Sequence, residues 1–265
     1  MANLYFPQLT SGAVAPFPIH KARYTRTVKN LLADGSIILF PDPGAERLVW
    51  ELAYTELSAV DLAALQAHFE LCGGPLRRFT FIDPTDNMLT SSSDLLTSAW
   101  QLPSFIQIAG GQPDPTGDTQ ALTITNTSQT SQQLSQSFSV PANYQYCFSV
   151  YAVSAASAEL VLIRRGLAIE ERTTFQIGPN WSRLVSSGRL NDGSMEFTIA
   201  VELAAGQQVG LYGLQVEPQV APSRYRVTGS TGGVYATVHW LGNEFVFASD
   251  APNLFSTSFS IEATI

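Results

Sequence analysis

The feature that most limits what this chain can fold into is a change of texture that later reverses. Up to FTFIDPTDNML, Phe79 to Leu89, the sequence reads as strands with one helix. From about residue 90 it becomes rich in Ser, Thr, Gln and Asn and alternates in the short period of a β-sandwich. After PSRYRVTGSTGGVY, Pro222 to Tyr235, short two-sided strands resume and run to the end. One domain interrupting another explains this order: 1–88 with 220–265 as a split β-rich domain, and 89–219 as the insert. The expected class is mainly β, with one α-helix and a jelly-roll-like sandwich.

The first part alternates at 23–30, 36–41 and 47–57, with turn chemistry at Asp34-Gly35 and Asp42-Pro43-Gly44. In RLVWELAYTEL, Leu48, Trp50, Leu52 and Tyr54 fall on one side, and Glu51 and Thr55 on the other. The helix has Ser58 as N-cap and Asp61 in its first turn. Leu62, Leu65, Phe69 and Cys72 form its apolar stripe, and Gly73-Gly74-Pro75 stops it. Nine strands are expected in the insert: 104–109, 119–125, 132–140, 145–154, 158–164, 169–176, 181–189, 194–203 and 207–217. The last segment should give 223–228, 234–241, 244–248 and 255–264, with Leu241-Gly242-Asn243-Glu244 as a hairpin turn.

Of the 265 residues, 45% are hydrophobic and 14% charged, which supplies a core and opposes disorder. No apolar run approaches the roughly 18 residues of a membrane span, so no membrane insertion is expected. MANLYFPQLTSGAVAPFP lacks a basic segment followed by an apolar stretch, so no signal peptide is expected and assembly is placed in a cytoplasm. The net charge of −8 opposes nucleic-acid binding, which needs clustered Lys and Arg. Both lysines, Lys21 and Lys29, lie with Arg23 and Arg26 in KARYTRTVK. This group is read as one face of a strand, either solvated or in contact with an acidic neighbouring subunit.

Catalytic chemistry is not legible. His20, His68 and His239 are scattered, and no GxSxG, Walker A or GxGxxG motif occurs. Asp83 and Asp86 sit in DPTDN, which reads as a turn rather than a paired-carboxylate site. Cys72 and Cys147 fall in different domains, and neither a disulfide nor a metal centre is expected from them. A structural Ca²⁺ would have to use the loop from Asp114 to Asp118, where two carboxylates are too few. The expectation is therefore no enzyme, no metal and no cofactor. A sandwich can stack sugars on exposed aromatics. Trp100, Tyr144, Tyr146, Tyr151, Trp181 and Tyr212 are available, and Trp100, Tyr144, Trp181 and Tyr212 are the candidate glycan contacts, set against the ordinary role of such residues in cores and rims.

Two resemblances extend this reading. The run from Trp50 to Asn87 resembles the ring-forming domain of distal tail or baseplate proteins in tailed bacteriophages. There a W-x-L-x-Y/F strand leads through a helix to F-x-F-x-D-P, here Trp50, Leu52, Tyr54, helix 59–72, Phe79, Phe81, Asp83 and Pro84. The insert resembles phage tail and fibre sandwiches akin to carbohydrate-binding modules. Its phrases are NMLTSSSDLLTSAW (87–100), DPTG (114–117), QSFSV (136–140), WSR (181–183), GLQVE (213–217) and PSRY (222–225). It departs from the pattern in that the first domain resumes after the insert. The resemblance implies a structural virion protein at the tail tip, a homohexameric ring in contact with tail tube, hub and fibres. The sandwich would point outward toward a host-surface glycan or a fibre. The alternative is a soluble glycan-binding adhesin or lectin-like module.

Overall fold

Antiparallel strands occupy most of the chain in the computed structural model, which describes residues 4–265. The protein is mainly β, with one α-helix among the described residues. It divides into two compact units: residues up to Ile82 with Tyr235–Ile265, and Asp83–Val234. The joints thus fall at 82/83 and 234/235, not at the 88/89 and 219/220 read from the sequence. The reason is pairing. The Asp83 N–H donates to the Gly233 carbonyl at 2.8 Å, and Gly233 N–H to Asn87 O at 2.7 Å. Met88 N–H then donates to Val216 O at 2.8 Å, so both flanking segments belong to the sandwich.

The first unit starts with β1 (His20–Leu31) and β2 (Ile37–Leu57), followed by α1 (Ala59–Cys72) and β3 (Phe79–Ile82). Asp42-Pro43-Gly44 is not the expected turn. β2 runs straight through it, and the surplus residues are absorbed as a register shift between Tyr24 and Arg26 on β1. The caps of α1 are those expected. Ser58 Oγ accepts the Asp61 N–H at 3.1 Å, and Gly73 takes the left-handed conformation at φ 63°.

The second unit holds β4 (Ile106–Gln112), β5 (Ala121–Asn126), β6 (Gln132–Phe138), β7 (Gln145–Val153), β8 (Ala158–Arg165), β9 (Glu170–Ile177), β10 (Ser182–Arg189), β11 (Phe197–Leu203) and β12 (Gln208–Glu217). Each expected strand of the insert is present within a few residues. The chain then returns to the first unit with β13 (Val234–Trp240), β14 (Phe247–Ala251) and β15 (Leu254–Thr264). The expected strand 223–228 is instead an irregular segment, held by side chains rather than by a ladder. Leu241–Glu244 is not a hairpin turn either. β14 pairs with β15, and Asn253 at φ 62° makes that turn.

The first unit's sheet has the order β1-β2-β15-β13-β3, with β14 on β15. Its core sets Trp50, Leu52 and Tyr54 against Phe6, Phe79, Phe81 and Trp240. Each such burial is worth roughly 1.5–3 kcal/mol. His68 lies edge-on to Phe79 at 4.7 Å, and burial pulls its pKa down to about 4, so it is a neutral core residue.

The second unit is a sandwich of a five-stranded sheet, β10-β7-β12-β5-β4, and a four-stranded sheet, β6-β11-β8-β9. Tyr146, Phe148, Val150 and Ala152 of β7 face Phe197, Ile199, Val201 and Leu203 of β11, all fully buried. Tyr146 stacks on Phe197 at 4.2 Å across the two sheets. The outer face of the four-stranded sheet is latticed by Arg172 with Glu170 and Glu202, and by Arg165 with Glu170. That leaves the outer face of the five-stranded sheet as the surface of different chemistry.

Candidate functional site

Three non-consecutive strands build the site. Inward residues of β7 alternate with Cys147, Ser149, Tyr151 and Val153, which must point away from the core. Register places Arg183 of β10 opposite Tyr151, and Tyr151 opposite Tyr212 of β12, so Arg183, Tyr151 and Tyr212 form one row. The Tyr151 and Tyr212 rings are 6.0 Å apart, and Tyr225 meets Tyr212 edge-on at 5.3 Å. The Arg183 guanidinium lies 5.3 Å from the Tyr151 ring centre, and its Nη2 donates to Ser149 Oγ at 3.0 Å. Its Nε is buried and has no hydrogen-bond partner.

Two glycines shape the surface. A Cβ on Gly210 would come within 2.6 Å of Val153 Cγ1 and 3.3 Å of Trp181 Cη2, so the indole lies over bare backbone. Gly213, at φ 66°, sits where the β12 register shifts between Tyr212 and Gln215. A Cβ there would meet Tyr225 at 3.2 Å and Tyr151 at 3.3 Å. Beneath Tyr225, Ser92, Tyr212 and Gly213 line a gap of only about 10 Å³. Beside Tyr225 the row is thus a platform without a deep pocket.

Below that row the polar groups are satisfied internally. Gln215 Oε1 accepts the Arg226 N–H at 2.8 Å, and its Nε2 donates to Glu217 at 2.7 Å. Glu217 also accepts the Ser223 N–H at 2.9 Å and Gln219 Nε2 at 2.9 Å. Burial, then the Glu217 charge, pushes the Cys147 thiol up to about 12, which makes it inert at neutral pH. Burial and then the nearby Asp114 charge raise the Tyr212 phenol, and burial raises Tyr225, so both keep their O–H.

Of the four aromatics selected from sequence, the structure brings two together. Trp181 and Tyr212 are on the platform, half-buried. Trp100 is only 5% exposed and spends its indole N–H on Ser91 O at 3.1 Å, so it is a core residue. Tyr144 packs near Tyr146 at the far end of β7, roughly 23 Å along the strand from Tyr151. Tyr151, Arg183 and Tyr225 were not selected. Period-2 spacing already pairs Trp181 with Arg183 and sets Tyr151 opposite in direction to Tyr146. Nothing local shows Tyr225, which arrives on the irregular segment.

The four basic residues proposed for subunit contact do not share one face. Arg26 pairs with Asp42 and Lys29 with Leu39, three residues apart on β1 and hence on opposite sides of the ribbon. Lys21 lies over Trp50 and Tyr235 at 5.5 and 5.3 Å, Arg23 bridges to Glu46, and Arg26 Nε donates to Asp42 at 2.8 Å.

The remaining titratable groups are structural. Asp83 Oδ1 accepts the Thr85 N–H at 2.8 Å, as the turn reading requires. Asp114 accepts from Thr116, Asp118 and Gln120. Burial works to raise its pKa, but these bonds outweigh it and hold it below the usual carboxylate range. Cys72 and Cys147 are free and buried. Among the described residues no group of three or more His, Cys, Asp or Glu is placed to hold a metal, and no helix is long and apolar enough to cross a membrane.

No family model matches this chain, and no curated protein matches it. Solved structures do match in part. A xylan-binding domain from carbohydrate-binding module family 22 is 16% identical, with a TM-score of 0.42 over 53% of this chain and 99% of that one. A TmCBM61 module in complex with β-1,4-galactotriose is 14% identical, with a TM-score of 0.35 over 49% and 97%. The enzymatically active domain of tailspike protein 4 from bacteriophage CBA120 is 11% identical, with a TM-score of 0.41 over 52% of this chain but only 22% of that one. At these identities and TM-scores the likenesses carry no argument about activity. What stands from the structure is the class: a mainly β protein with an antiparallel β-sandwich.

Proposed function

We propose that the protein contacts saccharides through the outer face of its five-stranded sheet and works without catalysis. The observation that carries this is the row Arg183–Tyr151–Tyr212, with Trp181 resting against Gly210 beside it. Half-exposed rings offer the apolar faces on which sugar C–H groups stack, and a guanidinium held on a tyrosine face offers donors to hydroxyls. A shallow platform suits a chain that passes across it. The test is a glycan array followed by calorimetry on the full chain. Trp181→Ala and Tyr212→Ala should each weaken binding about tenfold or more, while Trp100→Phe leaves it unchanged. Absence of any glycan signal from the correctly folded chain would sink the reading.

A second reading is favoured by one observation, the long solvent-exposed hairpin of β1 and β2. In it the split unit is a ring subunit, a homohexamer at a phage tail tip assembled in the host cytoplasm, with tail tube, hub and fibre proteins as neighbours. Negative-stain images of concentrated protein should then show closed rings, and particles of single subunits only would count against it.

A further inference from the structure

Arg183 differs from Arg164, Arg165 and Arg172 in the same unit. Arg164 is paired with Glu171, Arg165 with Glu170, and Arg172 with Glu170 and Glu202. Arg183 is in no ion pair among the described residues, and its one hydrogen bond there goes from Nη2 to the neutral Ser149 Oγ. β7 and β10 carry no carboxylate. The one on β12, Glu217, pairs in register with Cys147, four residues from Tyr151 and so roughly 13 Å along the strand. Both its oxygens are occupied, Oε1 by Gln219 Nε2 and Ser223 Oγ, Oε2 by Gln215 Nε2 and the Ser223 N–H.

The guanidinium is nevertheless held in place. It lies 5.3 Å from the Tyr151 ring centre and is bonded to Ser149, an orientation that buries Nε without a partner. A buried unpaired N–H is a cost that a freely turning surface arginine avoids. Nη1 also lacks a partner among the described residues, but unlike Nε it is open to solvent. At the far end of the row the sign changes. After burial, the Asp114 charge is what raises the Tyr212 phenol, and Asp118 adds to it. The row thus runs from an unneutralised cation at Arg183, past Tyr151, to an acidic loop beside Tyr212. A ligand lying along it meets attraction for one anionic group at the first end and repulsion at the second.

We propose that Arg183 makes this platform selective for a saccharide bearing a carboxylate, with the acidic ring at the Trp181–Arg183 end and a neutral ring over Tyr212. This rests on the saccharide reading above and names its ligand class. The planar fork of a guanidinium matches the two oxygens of a carboxylate, and stacking on a tyrosine face keeps the fork in position. Arg183 has no carboxylate partner of its own, so binding breaks no ion pair. Densely charged polyanions suit the site less, since the chain carries a net charge of −8 and the Tyr212 end is acidic.

The experiment is an array of galacturonate, glucuronate, mannuronate and guluronate oligosaccharides, each beside its methyl ester, with neutral and sulfated glycans on the same slide. Calorimetry of the full chain follows on the best pair. Wild-type should bind at least one free acid about tenfold or more tightly than its own ester, and by less at high salt. Arg183→Gln should bring acid and ester to within about twofold, and Arg183→Lys should keep part of the preference, since the charge remains while the fork is lost. Equal binding of every acid and its ester by wild-type overturns the selectivity and leaves the saccharide reading standing. No binding to any glycan overturns both. A preference for the acid that persists in a folded Arg183→Gln overturns the role of Arg183. A preference for sulfated over carboxylated glycans, lost in Arg183→Gln, overturns the carboxylate in favour of a sulfate ester.

Discussion

Asn87 can be tested against a worked magnitude. Its side chain is fully buried and makes four bonds to backbone: Nδ2 donates to Leu214 O at 3.0 Å and Arg226 O at 3.1 Å, and Oδ1 accepts Leu89 N–H at 3.1 Å and Val216 N–H at 3.0 Å. It therefore ties the start of the sandwich to β12 and to the segment that carries Tyr225. Asn87→Ala strands three buried backbone groups and a partly buried one. At about 1 kcal/mol each, the loss is about 4 kcal/mol. A unit of this size loses roughly 2–4 °C in Tm per kcal/mol, which gives a fall of about 8–16 °C. Scanning calorimetry of the full chain reads it as movement of the sandwich transition alone. Asn87→Asp sharpens the test. The new carboxyl would face two carbonyl oxygens in a buried site, so its folded pKa would lie above the unfolded value of about 3.9. Whatever stability it keeps is present below that value and lost as pH rises through the folded pKa. A fall under about 2 °C for the alanine variant, or an aspartate variant that gains stability between pH 4 and 8, would refute the reasoning.

Gly210→Ala should shift Val153 and the Trp181 indole, since the added methyl lands 2.6 Å from Val153 Cγ1 and 3.3 Å from Trp181 Cη2. A stability loss of about 1–3 kcal/mol should accompany weaker glycan binding on the same array. Asp192 should contribute to acid stability. The Ala168 and Ser194 backbone N–H groups, with help from the Ser194 side chain and Ile169, hold its pKa at about 2. With a lowered folded pKa, its contribution is present above the unfolded value of about 3.9 and lost as pH falls from there toward 2. Asp192→Asn should flatten the acid limb of an unfolding titration over that window, and an unchanged limb would refute the assignment.

The local parts of the fold were legible because their causes are local. Ser58, Asp61 and Gly73 cap α1 through neighbours in sequence, and alternation along β7 or β11 fixes which side chains face the core. The errors came where a distant partner outvoted a local signal. Asp42-Pro43-Gly44 has turn chemistry, yet β1 pairs with β2 on both sides of it, at Asp42 and at Arg47, so the segment becomes a bulge within the strand. Residues 223–228 alternate like a strand, yet Asn87 and Gln215 occupy the backbone groups that a ladder would need.

The sequence by itself therefore determined that this is a split, mainly β chain with one helix and a sandwich, since side-chain direction along a strand depends only on its own residues. Tertiary structure decided which strands lie side by side. β10, β7 and β12 are far apart in the chain, and only their pairing sets Arg183, Tyr151 and Tyr212 in one row while burying Trp100. In the first unit, strand order likewise puts β1 at the edge of its sheet among the described residues, which its own sequence does not show. Strand order is a property of contacts remote in sequence, and a binding surface assembled across strands inherits that remoteness.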